Sequence, residues 1–572
     1  EENNAQLNRS NSIVLLVTLF FYFQSYLIEA KSNLSDGHTD GDPNTISSEN
    51  NDFINSTEET ERIVVTGTRI SKPDIKHSSP VTVISREDID SSGATRLSDV
   101  LRESSINTYG SRRESSGGIA QGQSTLNLRG LGEQRTLVLI NGHRIANSAA
   151  IPDAQNINLI PVNAVERIEI VKDGASSIYG ADAVGGVVNI ILRKNLQTNN
   201  FTLYTVNPKI KGGDETYVGL YGGLTNNIAN ITYSAEHQRK QAIFARDIEL
   251  TEEGLSIYGF PGTYRVNAVH PDTNQMLTKI VADSRCPNEL NQVQFSQSRM
   301  EDEFCQFNFA EYSQLLPESK NSGLMLDANW LWGVDSKTYL HGDFSVTSTS
   351  GISAPTPNAG GKQYLPSMKA DNLNNPTQHL EVGFDTNYDG VEDTKLVGPF
   401  DLDIYYRNVL GGVRKTNNTD KMLSFYAGSS GELAKKTRFD FTLFYSENNS
   451  ESMVNGLVRR DLLQSAIDDE RLDIFAVNNE TSHSLAESFT IDSVFEAKFV
   501  HQGAKAIFHH QLLSKKAGES DLVFGIEYAE NKYHSIYLDE FDEHTIDGRA
   551  GGGNAEGQRK SFSAFTETYY DY

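Results

Sequence analysis

In one stretch of this 572-residue chain, Leu324, Leu326, Ala328, Trp330 and Trp332 occupy every second position, with Asp327 and Asn329 between them. Phe439, Phe441, Leu443 and Tyr445 repeat the pattern around Arg438 and Asp440, and Leu522, Phe524, Ile526 and Tyr528 repeat it around Glu527. Successive side chains of a strand point to opposite faces, so each stretch is a strand with one apolar and one polar face. That is the pattern expected where one face meets lipid and the other a polar lumen. Further segments of strand length lie at 200–206, 216–224, 227–236, 337–347, 422–430, 489–499, 504–513 and 561–570. Together they predict about eleven strands. Such strands leave unpaired edges unless the sheet closes, which points to an antiparallel transmembrane β-barrel.

The stretch 127–194 before the barrel reads differently. Leu137 to Ile140 is a short apolar run followed by Asn141-Gly142, the strongest short hairpin signal. Arg167 to Val171 alternates charged and apolar residues, as a strand with one buried face does, and Asp173-Gly174 supplies the next turn. Gly185-Gly186 then allows close backbone approach before the apolar run from Val187 to Leu192. Upstream, Val81 to Ile84 reads as a strand, Ser85 with Asp88 as a helix start, and Leu97, Val100 and Leu101 as the apolar side of a second short helix. A small, glycine-punctuated α/β domain is predicted.

Three ordered blocks carry a resemblance: Leu128-Arg129-Gly130, then Val138 to Gly142 with Arg144, then Val165 to Tyr179-Gly180 with Asn189-Ile190. They resemble the plug domain of TonB-dependent outer-membrane receptors. The resemblance implies a plug at 68–195 inside a barrel beginning at 196, and it marks Arg129, Gly130, Asn141, Gly142, Arg144, Glu166, Arg167, Glu169, Gly174, Tyr179, Gly180, Gly185, Gly186 and Asn189 as plug-motif positions. It further implies that Arg129, Arg167 and Glu169 hold the plug to charges on the barrel wall, and that the Gly-, Ser- and Arg-rich stretch 109–123 is a mobile outward loop able to touch ligand. A lumen filled by a folded plug goes with about 22 strands. The 196–572 region supplies roughly half that number, so the sequence reads as the N-terminal part of a longer receptor.

The segments before the plug fit the same picture. Ile13 to Phe23 is an apolar run too short to span a bilayer, so residues 1–30 read as a signal peptide. From Ser32 to Thr60 there are seven acidic residues and no Lys or Arg, a composition that cannot offset its ordering entropy, so 31–60 reads as a disordered linker. This linker is too short for the extra signalling domain of some family members, which argues against a transcription-signalling role. Residues 61–67 follow, with the β-branched run Arg62-Ile63-Val64-Val65-Thr66. It suits strand addition to a foreign sheet edge and is similar to the family's TonB box; the alternative is the first strand of the plug.

Cys286 and Cys305 are the only cysteines, and in an exported chain so close a pair is expected to form a disulfide. Both fall in the long segment 238–317, which with 348–421 reads as extracellular loop, because these barrels keep short turns on the periplasmic side. Asp385, Asn387 and Asp389 match the opening of a calcium loop, but Leu396 replaces the closing Glu, leaving Glu392 or Asp393 as substitutes; a minor Ca²⁺ site and a plain Asx turn both remain open, and no other cofactor is expected.

The formal net charge of -26 argues against nucleic-acid binding. No H-E-x-x-H, G-x-S-x-G or phosphate-cradling G-x-x-x-x-G-K-[ST] occurs, and the adjacent His509 and His510 point to opposite faces of any strand, so no enzyme is expected. The resemblance implies TonB-dependent transport of a scarce, large nutrient across the outer membrane of a Gram-negative cell, with the TonB–ExbB–ExbD complex, the nutrient and outer-membrane lipid as partners. The alternative is a surface receptor or adhesin that binds without energised transport. Ferric siderophores and cobalamin compete with oligosaccharides and peptides as substrates. Tyr258, Phe260 and Tyr264 suit stacking on a sugar or an interfacial aromatic belt.

Overall fold

The computed structural model describes Thr66 and residues 81–571, apart from 105–106, 108–109, 173–174, 288–290, 297–298, 334–335, 359–363, 388–390, 435, 477–479, 516–517, 540–544 and 549–552. The expected signal peptide, linker and residues 62–65 of the box therefore lie outside the described residues, as do Gly174 and Asp389.

The inner domain is a five-stranded sheet of β1 (Val81–Ile84), β2 (Thr136–Ile140), β3 (His143–Arg144), β4 (Val165–Val171) and β5 (Gly186–Leu192), in the order β1-β4-β5-β2-β3. Only β2 and β5 are parallel. Helices α1 (Arg86–Ser92) and α2 (Leu97–Glu103) precede β2. Ser85 caps α1: its hydroxyl accepts from the Asp88 amide at 3.2 Å, and its hydroxyl (2.7 Å) and then its amide (2.8 Å) reach the Asp88 carboxylate, which holds that carboxyl below its usual range. Apolar residues on both sheet faces hold the domain together. Val138, Ile140, Ile168, Ile170, Val188 and Ile190 pack with Ile89, Leu97 and Leu101 of the helices, and Leu137, Leu139, Val171 and Val187 pack with Ala175 and Ala183. Each fully buried Leu or Ile contributes about 1.5–3 kcal/mol. The Asn141-Gly142 turn has positive φ at both residues (48° and 79°), the two-residue geometry that matches strand twist and that few side chains other than Asn tolerate.

Among the described residues the wall is one antiparallel sheet whose main path has ten strands: β6 (Asn199–Val206), β7 (Glu215–Thr225), β8 (Ala229–Lys240), β9 (Glu318–Gly333), β10 (Ser336–Ser353), β11 (Arg414–Ala434), β12 (Thr437–Arg459), β13 (Thr490–Lys515), β14 (Gly518–Tyr537) and β15 (Ala555–Asp571); an eleventh, the two-residue strand Ile546–Asp547, pairs with β12 off that path. Each strand of the main path pairs with its neighbour in sequence, and β6 and β15 are the edges. The expected alternation is present. Leu324, Leu326, Trp330, Trp332, Phe441, Leu443, Phe524 and Ile526 are exposed on the outer face, whereas Met325, Asp327, Thr442 and Val523 between them are buried, Met325 against the inner-domain core. Among the described residues, no helix is long and apolar enough to cross a membrane.

Two expectations change. Segments 489–499 and 504–513 are one strand, β13, because the ladder runs unbroken through His501, Gln502 and Gly503. Gly503 looks like a turn residue but serves close packing: a Cβ there would lie 2.0 Å from the Tyr528 carbonyl oxygen. The long segments at the other end of the wall from the short turns are also more than loops. Together they build a cap with its own sheet, ordered 276–282, 263–269, 401–405 and 367–368, and two helices, α3 (Arg460–Asp468) and α4 (Glu480–Ser488). Tyr264, Val266, Leu402, Ile404, Tyr406, Leu463, Ile467, Phe475 and Phe489 form its core. The structure joins Cys286 to Cys305 within this cap, with their Cα atoms 5.7 Å apart.

Candidate functional site

Two places on the inner domain concentrate polar chemistry. Several of the plug-motif residues hold the domain to itself. Arg129, at φ 58° beside Gly130, donates to the carbonyls of Gly185 (3.2 Å) and Val184 (3.0 Å), pinning the turn before Gly186 and β5. Arg144 reaches Asp182 at 2.7 Å and the Tyr179 carbonyl, closing the helical turn that ends at Gly180. Glu166 is exposed.

The first place is centred on β4 and β5. Charged alternates of a half-buried strand are expected in solvent, yet Glu169 is only 2% exposed. It tolerates burial because its oxygens are occupied: Arg167 Nε donates to Oε1 at 2.8 Å, and Thr66 donates both its amide (3.0 Å) and its hydroxyl (2.5 Å) to Oε2. Asn189, opposite Glu169 in the ladder, donates from Nδ2 to the Thr66 hydroxyl at 2.8 Å and accepts from the Gly142 amide at 2.9 Å. The expected wall contacts of Arg129, Arg167 and Glu169 are thus corrected. Their hydrogen bonds among the described residues end inside the domain, because Thr66 and the neighbouring turns are closer partners than the wall.

The second place is the seam with the wall. Asn141, which fixes β5 by accepting from the Leu192 amide at 3.0 Å, donates from Nδ2 to the Tyr426 hydroxyl on β11 at 3.0 Å. The Tyr426 ring lies between His143 of β3 (4.2 Å) and His341 of β10 (4.3 Å), both stacked on it. His341 is fully buried, its two ring nitrogens 3.4 Å from Asp327 and 3.2 Å from Asp343. Burial holds His143 well below the usual histidine range, so it stays neutral at pH 7. Elsewhere along the seam, buried Arg96 donates to Gln238 (2.6 Å) and Ser319 (2.7 Å), and the Asn163 amide donates to Glu236 (3.1 Å). The 109–123 stretch is not wholly an outward loop. Gln121 is buried and donates to Thr349 and to the Thr416 carbonyl, while Arg112 is half exposed. His143, Tyr426, His341, Arg96 and Gln121 escaped the motif reading. The available signal was a titratable or amide side chain at an inward position of an alternating strand, as at His341, Asp343 and Asp327.

The cap changes one more expectation. Tyr264 is 3% exposed, edge-on to Phe475, so neither sugar stacking nor an interfacial belt describes it; Phe260 packs on the same core. Near the expected calcium loop, Asp393 accepts from the Thr386 amide and hydroxyl and Glu392 pairs with Lys279, while Asp389 lies outside the described residues. Among the described residues no three His, Cys, Asp or Glu side chains converge to hold a metal.

Residues 73–187 match the family model described as TonB-dependent Receptor Plug Domain. Solved structures with a similar course include the ferric enterobactin receptor PfeA of Pseudomonas aeruginosa, at 15% identity and TM-score 0.46, covering 87% of this chain and 56% of that one. The ferric yersiniabactin uptake receptor FyuA of Yersinia pestis, at 12% identity and TM-score 0.36, covers 86% and 61%. The ferric citrate transporter FecA in its unliganded form, at 12% identity and TM-score 0.37, likewise covers 86% and 61%. The chain therefore spans a little over half the length of these receptors.

Proposed function

We propose, taking as premise that this chain is a TonB-dependent receptor with a plug and a β-barrel wall, that it actively transports a scarce, large nutrient across the outer membrane. The observation that carries the reading is the plug itself, seated by hydrogen bonds on the inner face of a wall whose outer face is apolar. A plug held by separable polar contacts can be moved without unfolding the wall. Ligand would bind on the plug apex and the cap, Arg62–Thr66 would serve as the TonB box, and TonB–ExbB–ExbD would supply the force.

Val64→Pro removes a main-chain donor from any strand the box adds to a partner. Uptake is expected to stop while ligand binding at the cell surface persists; uptake at the parent rate overturns the box assignment. Dissipating cellular energy separates transport, which stops, from simple attachment, which continues. The nutrient is identified by abundance: a rise in the outer membrane under iron starvation points to a ferric chelate, and a rise on one glycan in iron-replete medium points to a saccharide.

A further inference from the structure

Asp420 of β11 pairs with Thr347 of β10 and Ser450 of β12, and all three side chains are buried on the inner face of the wall. Asp420 is 0% exposed, and among the described residues neither of its carboxylate oxygens has a hydrogen-bond partner. The Ser450 hydroxyl and the Gln123 carboxamide of the plug stand close enough to act on it yet complete no hydrogen bond with it. Both are themselves buried, and the Ser450 oxygen and both ends of the Gln123 carboxamide are likewise unpartnered.

The plug closes over this place. Gln121 donates to the Thr349 hydroxyl at 3.1 Å and to the Thr416 carbonyl at 2.8 Å, and Asn418 donates to the carbonyls of Gly118 (3.1 Å) and Ile119 (2.7 Å). Gly122 lets the stretch lie so near: a Cβ there would stand 3.0 Å from the Thr349 methyl and 3.6 Å from an Asp420 oxygen. A carboxylate taken out of water is costly unless a cation or several donors meet it. Hydroxyl and carboxamide oxygens beside a carboxylate make an all-oxygen donor set, which suits a hard cation. One carboxylate balances one positive charge, whereas a divalent ion would leave a buried charge of its own.

We propose that Asp420, Gln123 and Ser450 bind one monovalent cation of the sodium class, which fastens the 118–123 stretch of the plug to the wall. The wall supplies the carboxylate and the plug the carboxamide, so the site is whole only while the plug is seated. At this level the outer face of β11 and β12 exposes Lys421 and Glu451 in place of Leu423 and Phe425, which puts the site on the cap side of the apolar band. It needs only a seated plug and stands apart from the transport reading.

The test compares the full-length receptor in sodium chloride and in tetramethylammonium chloride at equal ionic strength, in a mildly alkaline buffer, by amide hydrogen exchange over 118–123. The Gln121 and Gln123 amides bond to the Gly118 and Ala120 carbonyls, and their exchange is expected to slow about tenfold once sodium exceeds its dissociation constant about tenfold. Asp420→Asn puts a neutral group of the same shape at this position and should make the two salts equivalent. Ser450→Ala keeps the charge and should only weaken the sodium effect, whereas Gln123→Glu adds a second carboxylate and should move the response from sodium to calcium. If Asp420→Asn does not fold, the switch in Gln123→Glu decides in its place. Equal exchange in the two salts for the parent overturns the proposal. So does a sodium effect that persists in Asp420→Asn, which places the ion elsewhere, and so does protection that follows falling pH in either salt, which makes Asp420 a buried neutral acid.

Discussion

The seam between plug and wall and the core of the cap differ in their proportion of polar to apolar side chains: the seam combines polar contacts with an apolar patch of Ala146 and Ala149 on Phe495, Ala497 and Phe499, whereas the centre of the cap is one apolar cluster. The seam is lined by buried polar side chains such as Arg96, Gln121, Ser424, His341, Asn418 and Asn448. The cap closes over Val266, Leu402, Ile404, Leu463, Phe475 and Phe489, with a disulfide nearby. Net hydrogen bonds contribute about 0.5–1.5 kcal/mol each and re-form with water when parted, whereas apolar burial is lost as a block. Under the proposed function, the plug would be the part that leaves its seat and the cap the part that keeps its shape. Long segments that look like free loops are therefore a fixed surface.

The largest test of that contrast is Phe475→Ala. Phe475 is fully buried beside Tyr264 and under Arg285, and truncation is expected to remove about 3–5 kcal/mol from the cap. Limited proteolysis should open 460–489 while the plug stays resistant; a cap that stays closed would show that its core does not hold it. Replacing Cys286 and Cys305 together by Ser should lower cap stability by about 3 kcal/mol in the chain-entropy estimate, read as earlier thermal loss of cap protection in hydrogen exchange.

A pH-dependent effect follows from Asp547, whose two-residue strand Ile546–Asp547 pairs with the end of β12 that leads into α3 of the cap, and which is buried beside Arg460 of α3 (2.6 Å) and Asn358. Burial pushes its carboxyl up to about 6 from 3.8, against the pull of Arg460 and Asn358. Between those values the folded cap keeps a proton that the unfolded chain has released, so cap stability falls as pH rises from about 4 to about 6 and is level above that. The slope should vanish in Asp547→Asn; a slope that persists there would assign it to another group. The smallest effect belongs to the seam. Tyr426→Phe removes only the bond from Asn141 and should cost about 1 kcal/mol, seen as faster amide exchange over 141–144 with the wall unchanged. A loss as large as that of Phe475→Ala would erase the distinction between the two regions.

Local rules made much of the fold readable. The Asn141-Gly142 turn, the Ser85–Asp88 cap and the outward row Leu324, Leu326, Trp330 and Trp332 each depend on neighbours within a few residues. The plug blocks were readable too, but their roles were not. Glu169 and Arg167 look like charges for a distant wall, and only the folded chain brings Thr66, 103 positions away, onto the Glu169 carboxylate. Gly503 shows the same limit, since a glycine within a strand and a glycine at a turn are alike until the facing backbone is known.

By itself, the sequence determined the periodicity of the wall, the order of plug before barrel and the family blocks, because backbone sterics and side-chain alternation act over short range. Tertiary structure decided which polar groups meet across the seam, that the long segments pack into one cap, and where Thr66 is held. Those contacts join residues tens to hundreds of positions apart, and pairing at that range is chosen by burial and hydrogen-bond satisfaction in the folded molecule rather than by local propensity.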